Sequence, residues 1–353
     1  MDSFARRLLA WFAEHGRHDL PWQLDATPYS IWVSEIMLQQ TQVATVVAYF
    51  KRFMRSFPTV GDLAAAELDD VLAHWSGLGY YARARNLHRA ARRIVDELDG
   101  ELPRSLANLM ELPGIGRSTA GAILALAHGQ REPILDGNVK RVLARYHGIE
   151  GWPGKSAVLA ALWQRAEQHT PRREVAAYTQ AIMDLGATIC TRGDPDCSSC
   201  PVRRGCRAAR DGRQAVLPSP RPRRERPQRS VRVLIVRDDS QRVLLERRPA
   251  TGVWGGLFSL PEIADDQEAG SWCDAYLNAR IARQRTLAPI DHAFTHFDLT
   301  IQPTLLDLDA GPAAIMDRPD WLWYKPAMKT KLGLAAPIAA LLHEISAQPE
   351  LNP

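Results

Sequence analysis

A tight turn between two helical segments is predicted by Leu109-Met-Glu-Leu-Pro-Gly-Ile-Gly-Arg-Ser-Thr-Ala120. Pro113 presets the first corner of the turn, and Gly114 takes the positive φ that follows. Gly116 allows a close approach to the backbone. A helix begins near Arg117, and the free N–H groups and the dipole of this helix favour an anion such as a DNA phosphate. A plain hairpin of two helices explains the first two of these residues but not the last two, so both interpretations stay open.

Helical periodicity extends far on both sides of this hairpin. From position 1 to about 209, apolar residues recur at spacings of three and four, and glycines such as Gly61, Gly100 and Gly129 mark helix ends. We therefore predict an all-α domain over 1–217, with the helix-hairpin-helix at about 105–128.

The composition changes after this domain. Four prolines among arginines predict a basic linker over 218–229, since such a segment neither packs nor pairs regularly. A smaller α+β domain is predicted over 230–353. Its strand-like segments and closing helix are expected at 230–237, 242–247, 294–304 and 334–345.

Length and charge fit this organisation without identifying a partner. A chain of 353 residues suits two domains, and 46% hydrophobic with 24% charged residues is ordinary globular composition. A net charge of +4 does not by itself indicate nucleic acid. Arginines are concentrated between 192 and 229, where they either neutralise phosphates or form a solvated tail.

No segment has the character of a membrane span or of a signal peptide. The most apolar stretch, Ala120–Ala127, is too short to cross a bilayer, and the amphipathic N-terminal segment carries charges throughout. Four of the five cysteines lie close together, unlike a secreted disulfide framework. We expect an intracellular monomer without a membrane partner.

The clustered cysteines follow the spacing C-x6-C-x2-C-x5-C and are Cys190, Cys197, Cys200 and Cys206. Structural zinc sites usually place their ligands as two C-x2-C-type pairs, whereas this uneven spacing suits a cubane iron–sulfur cluster. We favour the cluster, in a structural role, and zinc stays the alternative. The fifth cysteine, Cys273, is expected to be a buried apolar residue.

Two carboxyl side chains are candidates for chemistry. Glu35 lies on an apolar face of a helix predicted over 29–42 and capped by Ser30; apolar neighbours raise a carboxyl pKa and keep a general acid protonated. Asp136 follows apolar residues at a helix start, where it either caps the helix or faces a developing positive charge. For Glu35, the structural alternative is a salt-bridged glutamate at the edge of the core.

Two carboxyls in opposite environments suit cleavage of an N-glycosidic bond. Glu35 would protonate the leaving base, and Asp136 would stabilise an oxocarbenium-like sugar, much as two carboxylates divide the work in glycoside hydrolysis. The target base must first leave the stack. Gln39, Gln40 and Tyr80-Tyr81 would wedge into the gap, or simply pack on the helix surface.

Leu-Pro-Gly-Ile-Gly at 112–116, the later Asp136 and the 6-2-5 cysteine loop occur together in this chain. This combination resembles the helix-hairpin-helix DNA glycosylases of the endonuclease III superfamily. Within that superfamily the chain is similar to the MutY family of adenine DNA glycosylases, in the segments 34–42, 77–83 and 134–139.

The resemblance implies a substrate, which is double-stranded DNA with adenine mispaired with 8-oxoguanine or guanine. It implies a 4Fe-4S cluster on the four cysteines. It also implies that Glu35 protonates adenine and that Asp136, supported by Asn138, stabilises the cationic sugar. DNA-backbone binding falls to the hairpin residues Gly114, Gly116 and Arg117.

Further positions acquire roles through the same resemblance. Gln40 corresponds to a residue that wedges into the duplex, and Tyr80 to one that packs near the damaged guanine. Trp22 and Gln180 border the adenine pocket. Bifunctional lyases of the superfamily carry a lysine where this chain has Ser118, so we predict base release without efficient strand cleavage; Lys140, close to Asp136 in sequence, leaves lyase chemistry open.

The second domain resembles the Nudix fold in Val253-Trp-Gly-Gly-Leu257. A glutamate-rich Nudix box does not follow Gly256, so we expect the hydrolase chemistry to be lost. Phe294-Thr-His296 corresponds to the family's Phe-Ser-His motif, which contacts 8-oxoguanine. Thr295 keeps the hydroxyl but adds a methyl group, which would alter discrimination of the lesion, and His296 matches. The alternative is a strand in a packing domain.

Three other functions compete with this prediction. A bifunctional glycosylase for oxidised pyrimidines conflicts with Ser118 and with the second domain. A nucleotide pyrophosphohydrolase conflicts with the missing Nudix box. A non-enzymatic DNA-binding or iron–sulfur redox protein is distinguished by whether Glu35→Gln removes turnover.

Overall fold

The structure is a computed structural model that describes residues 1–222, 225–249, 252–294, 296–309, 318–326 and 332–347. The chain divides into two compact units. The helical unit comprises Met1–Ala66 and Arg83–Arg223, and the sheet unit comprises Glu67–Ala82 and Arg224–Pro353. Residues 67–82 fall within the first domain predicted from the sequence, and the boundaries 1–217, 218–229 and 230–353 stay predictions.

The chain up to position 210 is helical, as predicted. Its helices are α1 (Ser3–His15), α2 (Pro21–Leu24), α3 (Pro28–Leu38), α4 (Val43–Ser56), α5 (Val60–Ala65), α6 (Leu68–Trp75), α7 (Ala82–Glu97), α8 (Leu106–Met110), α9 (Arg117–His128), α10 (Gly137–His147), α11 (Ser156–His169), α12 (Val175–Asp184) and α13 (Arg207–Arg210). A π-helical turn, Leu185–Ile189, continues α12, and a 3-10 turn spans Arg203–Gly205. Of these elements, α6 belongs to the sheet unit.

The core of the helical unit forms where α1 meets α10 and α12. Phe4 and Leu8 of α1 are one turn apart and buried, and they pack in one cluster with Val142, Tyr178 and Ile182. Helix α9 packs against both α3 and α12. This packing brings the start of α9 beside side chains that lie far from it in sequence.

The sheet unit contains one mixed sheet. Its strands are β1 (Gln228–Arg237), β2 (Val243–Arg247), β3 (Phe258–Ser259), β4 (Glu262–Ile263), β5 (Ile281–Thr286), β6 (Ile290–Ala293), β7 (Asp298–Leu308) and β8 (Trp321–Tyr324). The order is β3-β2-β1-β7-β5, with β4, β6 and β8 paired to β1, β7 and β2. Strands β1 and β7 are parallel, and the other pairs are antiparallel.

Helices α14 (Ala269–Leu277) and α15 (Ala336–Ala347) complete this unit. Trp272 of α14 packs in one cluster with Leu234 of β1 and Leu306 of β7. Cys273 is fully buried in the same cluster, as predicted. The α+β class predicted for this part of the chain is confirmed.

Two local predictions were wrong. Helix α3 is capped by Thr27, whose hydroxyl accepts from the Ser30 N–H, while the Ser30 hydroxyl accepts from the Thr27 N–H. The helix ends at Leu38 rather than Gln42. Gln40 beyond it has a φ of 59°, in the left-handed region that few non-glycine residues adopt.

The first part of the predicted linker packs on the helical unit. The Ser219 hydroxyl accepts from the Gly151 N–H at 3.1 Å, and the Arg221 guanidinium lies 5.6 Å from the Trp152 ring centroid. These contacts attach the chain up to position 221. Within the described part of the chain, none of the helices combines the length and apolar character needed to cross a membrane.

Candidate active site

A cavity of about 400 Å³ opens in the helical unit. This volume lies within the range of small-ligand sites. Eight of the residues singled out from sequence line it: Trp22, Glu35, Gln39, Gln40, Ser118, Asp136, Asn138 and Gln180. They come from five separate segments of the chain, which only tertiary packing brings together.

Glu35 faces the cavity from the nearly fully buried helix α3. Tyr29–Ser34, Ile36 and Met37 are all buried, so the helix is fixed in rotation, and Glu35 is its one acidic or basic residue. Burial raises the pKa of Glu35 to about 8, and the negative charge of Asp136 contributes a smaller increase. Among the described residues Glu35 forms no ion pair, which argues against the salt-bridged alternative.

Asp136 caps α10 and also faces the cavity, so the two interpretations of this residue are compatible. Its Oδ1 accepts from the Val139 N–H at 2.7 Å. Burial raises the pKa of Asp136, but the N–H groups of Val139 and Asn138 and the charges of Arg141 and Lys140 oppose that rise. The pKa of Asp136 stays raised, but Asp136 has donors and cations that favour its carboxylate form, and Glu35 has none of them.

Ser118 and Asn138 hold the backbone on either side of Asp136. The Leu135 N–H donates to Ser118 Oγ at 2.9 Å, which ties the segment before Asp136 to α9. Asn138 Oδ1 accepts from Arg141 at 2.8 Å. Asn138 contacts the Asp136 carboxylate through its backbone N–H, whereas its side chain is engaged by Arg141.

One wall of the cavity contains a polar network that the sequence analysis missed. Asp184 is fully buried and accepts from Gln180 Nε2 at 2.8 Å. Arg17 donates to the same carboxylate through its backbone N–H and its guanidinium. Gln180 is thus held in a fixed orientation. No local sequence pattern predicts this pair, because Arg17 and Asp184 are 167 positions apart.

Buried Arg83 holds the turn that carries Gln40 through hydrogen bonds to its backbone. Arg83 Nη1 donates to the carbonyl oxygens of Ile36, Met37 and Gln39 at 2.7–2.9 Å. These carbonyls lie at the end of α3, where no helical N–H is available to them. Arg83 therefore ends the helix and fixes the left-handed conformation that projects Gln40.

The hairpin forms between α8 and α9 as predicted. Gly114 has a φ of +84°, and a Cβ atom there would approach the Asn86 Cβ to 2.9 Å. Gly116 is the N-cap of α9, and a Cβ there would have no described atom within 4 Å. Arg117 is exposed, and its guanidinium stacks on Trp163 at 3.9 Å. The start of α9 is consequently accessible to an anion.

The four clustered cysteines line one small cavity and form no disulfide bonds. Among the described residues, no three His, Cys, Asp or Glu side chains are grouped so as to hold a metal ion. The donor set nevertheless fits an iron–sulfur cluster chemically, because N–H donors already face the sulfurs. Arg145 Nη1 lies 3.3 Å from Cys190 Sγ, and Gln214 Nε2 lies 3.6 Å from Cys197 Sγ.

Buried Arg145 organises the cysteine loop. Besides the Cys190 sulfur, it donates to the carbonyl oxygens of Thr191 and Arg192, and to those of Gln214 and Leu217 beyond the loop. One guanidinium thus joins the start of the loop and the segment after it to α10.

Two predicted lesion-contacting positions lie in the sheet unit. Tyr80 is 49% exposed and has a φ of 51°, again in the left-handed region. His296 is exposed, and its ring lies 4.7 Å from that of Phe297. Phe294 stacks on Phe297 at 4.6 Å. Thr295 lies outside the described residues.

Comparison with known proteins defines the class. Residues 33–168 match the HhH-GPD superfamily of base excision DNA repair proteins, and residues 232–344 match the NUDIX domain. A solved thermostable thymine-DNA glycosylase aligns with 59% of this chain and 95% of its own, at a TM-score of 0.54 and 27% identity. Endonuclease III in a non-covalent complex with DNA aligns with the same 59% of this chain, at a TM-score of 0.51 and 25% identity. The helical unit thus has the fold of base-excision DNA glycosylases.

Relatives similar over the whole chain define the family. The adenine DNA glycosylase of Buchnera aphidicola subsp. Acyrthosiphon pisum is 37% identical over 339 residues, 96% of each chain. That of Mus musculus is 36% identical over 88% of this chain and 72% of its own. The chain belongs to the adenine DNA glycosylases, which are glycosidases of base excision repair, and the resemblance seen in the sequence is confirmed.

Proposed function

We propose that this enzyme removes adenine mispaired with 8-oxoguanine or guanine from double-stranded DNA, with Glu35 as general acid and Asp136 as the stabiliser of the cationic sugar. One observation carries the proposal. Glu35, with a pKa raised to about 8, shares a single cavity with Asp136, whose carboxylate form receives N–H donors and nearby cations. Paired carboxyls with divergent environments are the arrangement that acid-assisted glycosidic cleavage requires.

The proton and electron movements follow from these environments. The extruded adenine enters the cavity, and the Glu35 carboxyl donates its proton to a ring nitrogen as the bond between the base and the sugar breaks. The bonding electrons leave with the base. The sugar becomes cationic, and the Asp136 carboxylate stabilises that charge until water adds to the sugar carbon. The proton that the water loses returns to the Glu35 carboxylate.

Release without strand cleavage follows from Ser118. Its hydroxyl is engaged with the Leu135 N–H, and no lysine is among the described residues that line the cavity. Lys140 contributes positive charge to Asp136 from outside that lining. Without an amine nucleophile at the sugar, a Schiff base does not form, and the abasic strand stays intact.

Recognition of the mispair is assigned to residues of both units. Trp22 and Gln180 border adenine, and Arg17 with Asp184 orients Gln180. Gln40 wedges into the duplex, and the strained left-handed backbone at Gln40 and Tyr80 supports a functional role for both.

The lesion side is assigned to the sheet unit, through Tyr80 and the Phe294-Thr295-His296 motif. Half-exposed Phe294 is part of an aromatic surface with Trp254 and His292, whose rings lie 5.7 and 4.6 Å from it. Such a surface suits stacking with a nucleobase.

The remaining assignments concern the DNA backbone and the cysteines. Gly114, Gly116 and Arg117 present the start of α9 to a phosphate. The residues Cys190, Cys197, Cys200 and Cys206 would hold a 4Fe-4S cluster, whose contribution is to keep the arginine-rich loop rigid. We assign residues 1–217, apart from Tyr80, to catalysis and 230–353 to recognition of the lesion, joined by the linker 218–229. The protein acts as a monomer on intracellular DNA, which in a bacterium is that of the nucleoid.

A strand-cleavage assay tests this function. Excess protein is mixed with a labelled duplex carrying adenine opposite 8-oxoguanine, and the strand is analysed before and after hot alkali. Cleavage only after alkali, absent in Glu35→Gln, is expected. An intact adenine strand would contradict the substrate assignment, and cleavage before alkali would contradict the monofunctional mechanism. Wild-type binding by the Glu35→Gln variant shows that only chemistry is lost.

A further inference from the structure

Residues 67–82 lie in the first part of the chain but belong to the compact unit that contains the sheet. Within them, α6 is followed by the Tyr80 loop, Gly77–Tyr81. Trp75 Nε1 donates to the Gly79 carbonyl at 3.1 Å, and the Gly77 N–H donates to Tyr81 Oη at 3.4 Å. These bonds link the conformation of the loop to the position of α6.

The first attachment of α6 to the sheet is a bidentate ion pair. Arg247 Nη1 and Nη2 lie 2.7 and 2.6 Å from the two carboxylate oxygens of Asp69. Arg247 is itself fixed in β2: it pairs with Phe258 of β3, its guanidinium lies 4.4 Å from the Phe258 ring centroid, and its N–H donates to the Asp320 carbonyl at 2.7 Å. These contacts hold the Arg247 backbone in the sheet and its guanidinium against the Phe258 ring.

The second attachment is apolar and independent of the first. Leu72 lies on the same face of α6 as Asp69, one turn along, and is fully buried. A Cβ atom at Gly333 would come within 3.2 Å of the Leu72 Cβ and 3.1 Å of the Leu257 Cδ2. The absence of a side chain at Gly333 therefore allows α6 to approach this part of the unit.

The ion pair is better suited to orientation than to stability. The Arg247 and Asp69 side chains are 31% and 39% exposed, and exposed pairs contribute little to the free energy of unfolding. A bidentate arginine–carboxylate contact does, however, fix the relative orientation of two elements.

We propose that the Asp69–Arg247 pair is a specificity-determining contact, which anchors the Tyr80 loop to the unit carrying the Phe294–His296 motif. Arg247 is a positioning residue: it acts through α6 on Tyr80, and thereby on the base opposite adenine. The proposal rests on the proposed function for its kinetic consequence, but the anchor itself is a property of the free protein.

The kinetic test uses the full-length protein with Arg247→Ala, Asp69→Ala, Arg247→Lys and the charge exchange Asp69→Arg with Arg247→Asp. Single-turnover rates are measured on duplexes with adenine opposite 8-oxoguanine and opposite guanine. We expect Arg247→Ala and Asp69→Ala to lower the preference for 8-oxoguanine roughly fivefold, with Arg247→Lys intermediate and the guanine rate unchanged. The charge exchange restores the preference. The matched control is Arg237→Ala, which removes the Arg237–Asp307 pair within the sheet. This variant should keep the wild-type preference for 8-oxoguanine.

Hydrogen–deuterium exchange on the free protein tests the anchor without substrate. In Arg247→Ala, amides of 77–82 should exchange faster, while those of α9 and α12 stay unchanged. Unaltered exchange, an unaltered preference, or equal loss on both duplexes would each overturn the inference. Equal wild-type rates on the two duplexes would overturn the specificity role. Absence of adenine release from both duplexes would instead contradict the proposed function, and faster exchange in 77–82 would then show the anchor alone.

Discussion

Gly186 lies directly against Asn138, so that a Cβ atom at Gly186 would come within 2.6 Å of the Asn138 Cβ. Gly186 sits in the π-helical turn after α12, and its carbonyl also accepts from Arg141. The first turn of α10, and with it Asp136, can take its position only because this residue has no side chain.

Gly186→Ala is therefore expected to shift Asn138 and to slow adenine release by at least tenfold. Overpacking of this kind also costs about 1–3 kcal/mol of stability. Single-turnover rates and thermal unfolding measure the two effects. Gly193→Ala is the matched control, because a Cβ there has no described neighbour within 4 Å and neither residue has a positive φ. Wild-type rates in Gly186→Ala would contradict the packing argument.

The rate of base release should fall as pH rises through about 8. Glu35 acts in its protonated form, and its pKa is raised to about 8, so each further pH unit removes roughly tenfold of the active form. On the acid side the rate falls when Asp136, whose pKa is also raised, takes up a proton. Single-turnover rates between pH 5 and 10 give this profile. A flat profile through pH 9 would show that Glu35 is not the acid.

Arg83→Ala should impair base extrusion more than DNA binding. Without the guanidinium, the carbonyls of Ile36, Met37 and Gln39 lose their donor, and the turn that projects Gln40 relaxes. Fluorescence of 2-aminopurine beside the target adenine reports extrusion, and a Kd measurement reports binding. Arg89→Ala, which removes an exposed bond to Asn86, is the control. Equal losses in the two variants would refute a specific role for Arg83.

Arg145→Met should release the cysteine loop. The substitution keeps the bulk of the side chain but removes donors to the Cys190 sulfur and to carbonyls on both sides of the loop. We expect a severalfold loss of bound iron. Visible absorbance and the iron content per chain measure this loss. Arg213→Ala, which removes the exposed pair with Glu150, should retain full iron content. Full iron content in Arg145→Met would show that Arg145 does not hold the cysteine loop in the form that binds the cluster.

The sequence predicted those parts of the protein that local chemistry specifies. The hairpin follows from Pro113 and Gly114, since proline presets one corner and only glycine takes the next φ without strain. The helical and sheet regions follow from a change of hydrophobic period. The predicted end of α3 was wrong because the sequence Gln39–Gln42 is compatible with a helix. The helix ends earlier because carbonyl oxygens at its end accept hydrogen bonds from Arg83, more than forty positions away.

By itself, the sequence determined the two-part architecture and the cysteine spacing, and it predicted Glu35 and Asp136 as candidate catalytic residues, because each is encoded within a short stretch. The tertiary structure alone decided what surrounds them. The pKa of Glu35 depends on apolar neighbours and on a charge 101 positions away, Gln180 is oriented by Arg17 through Asp184, and α6 joins the sheet unit through Arg247. Desolvation and ion pairing act through space, and spacing along the chain does not reveal them.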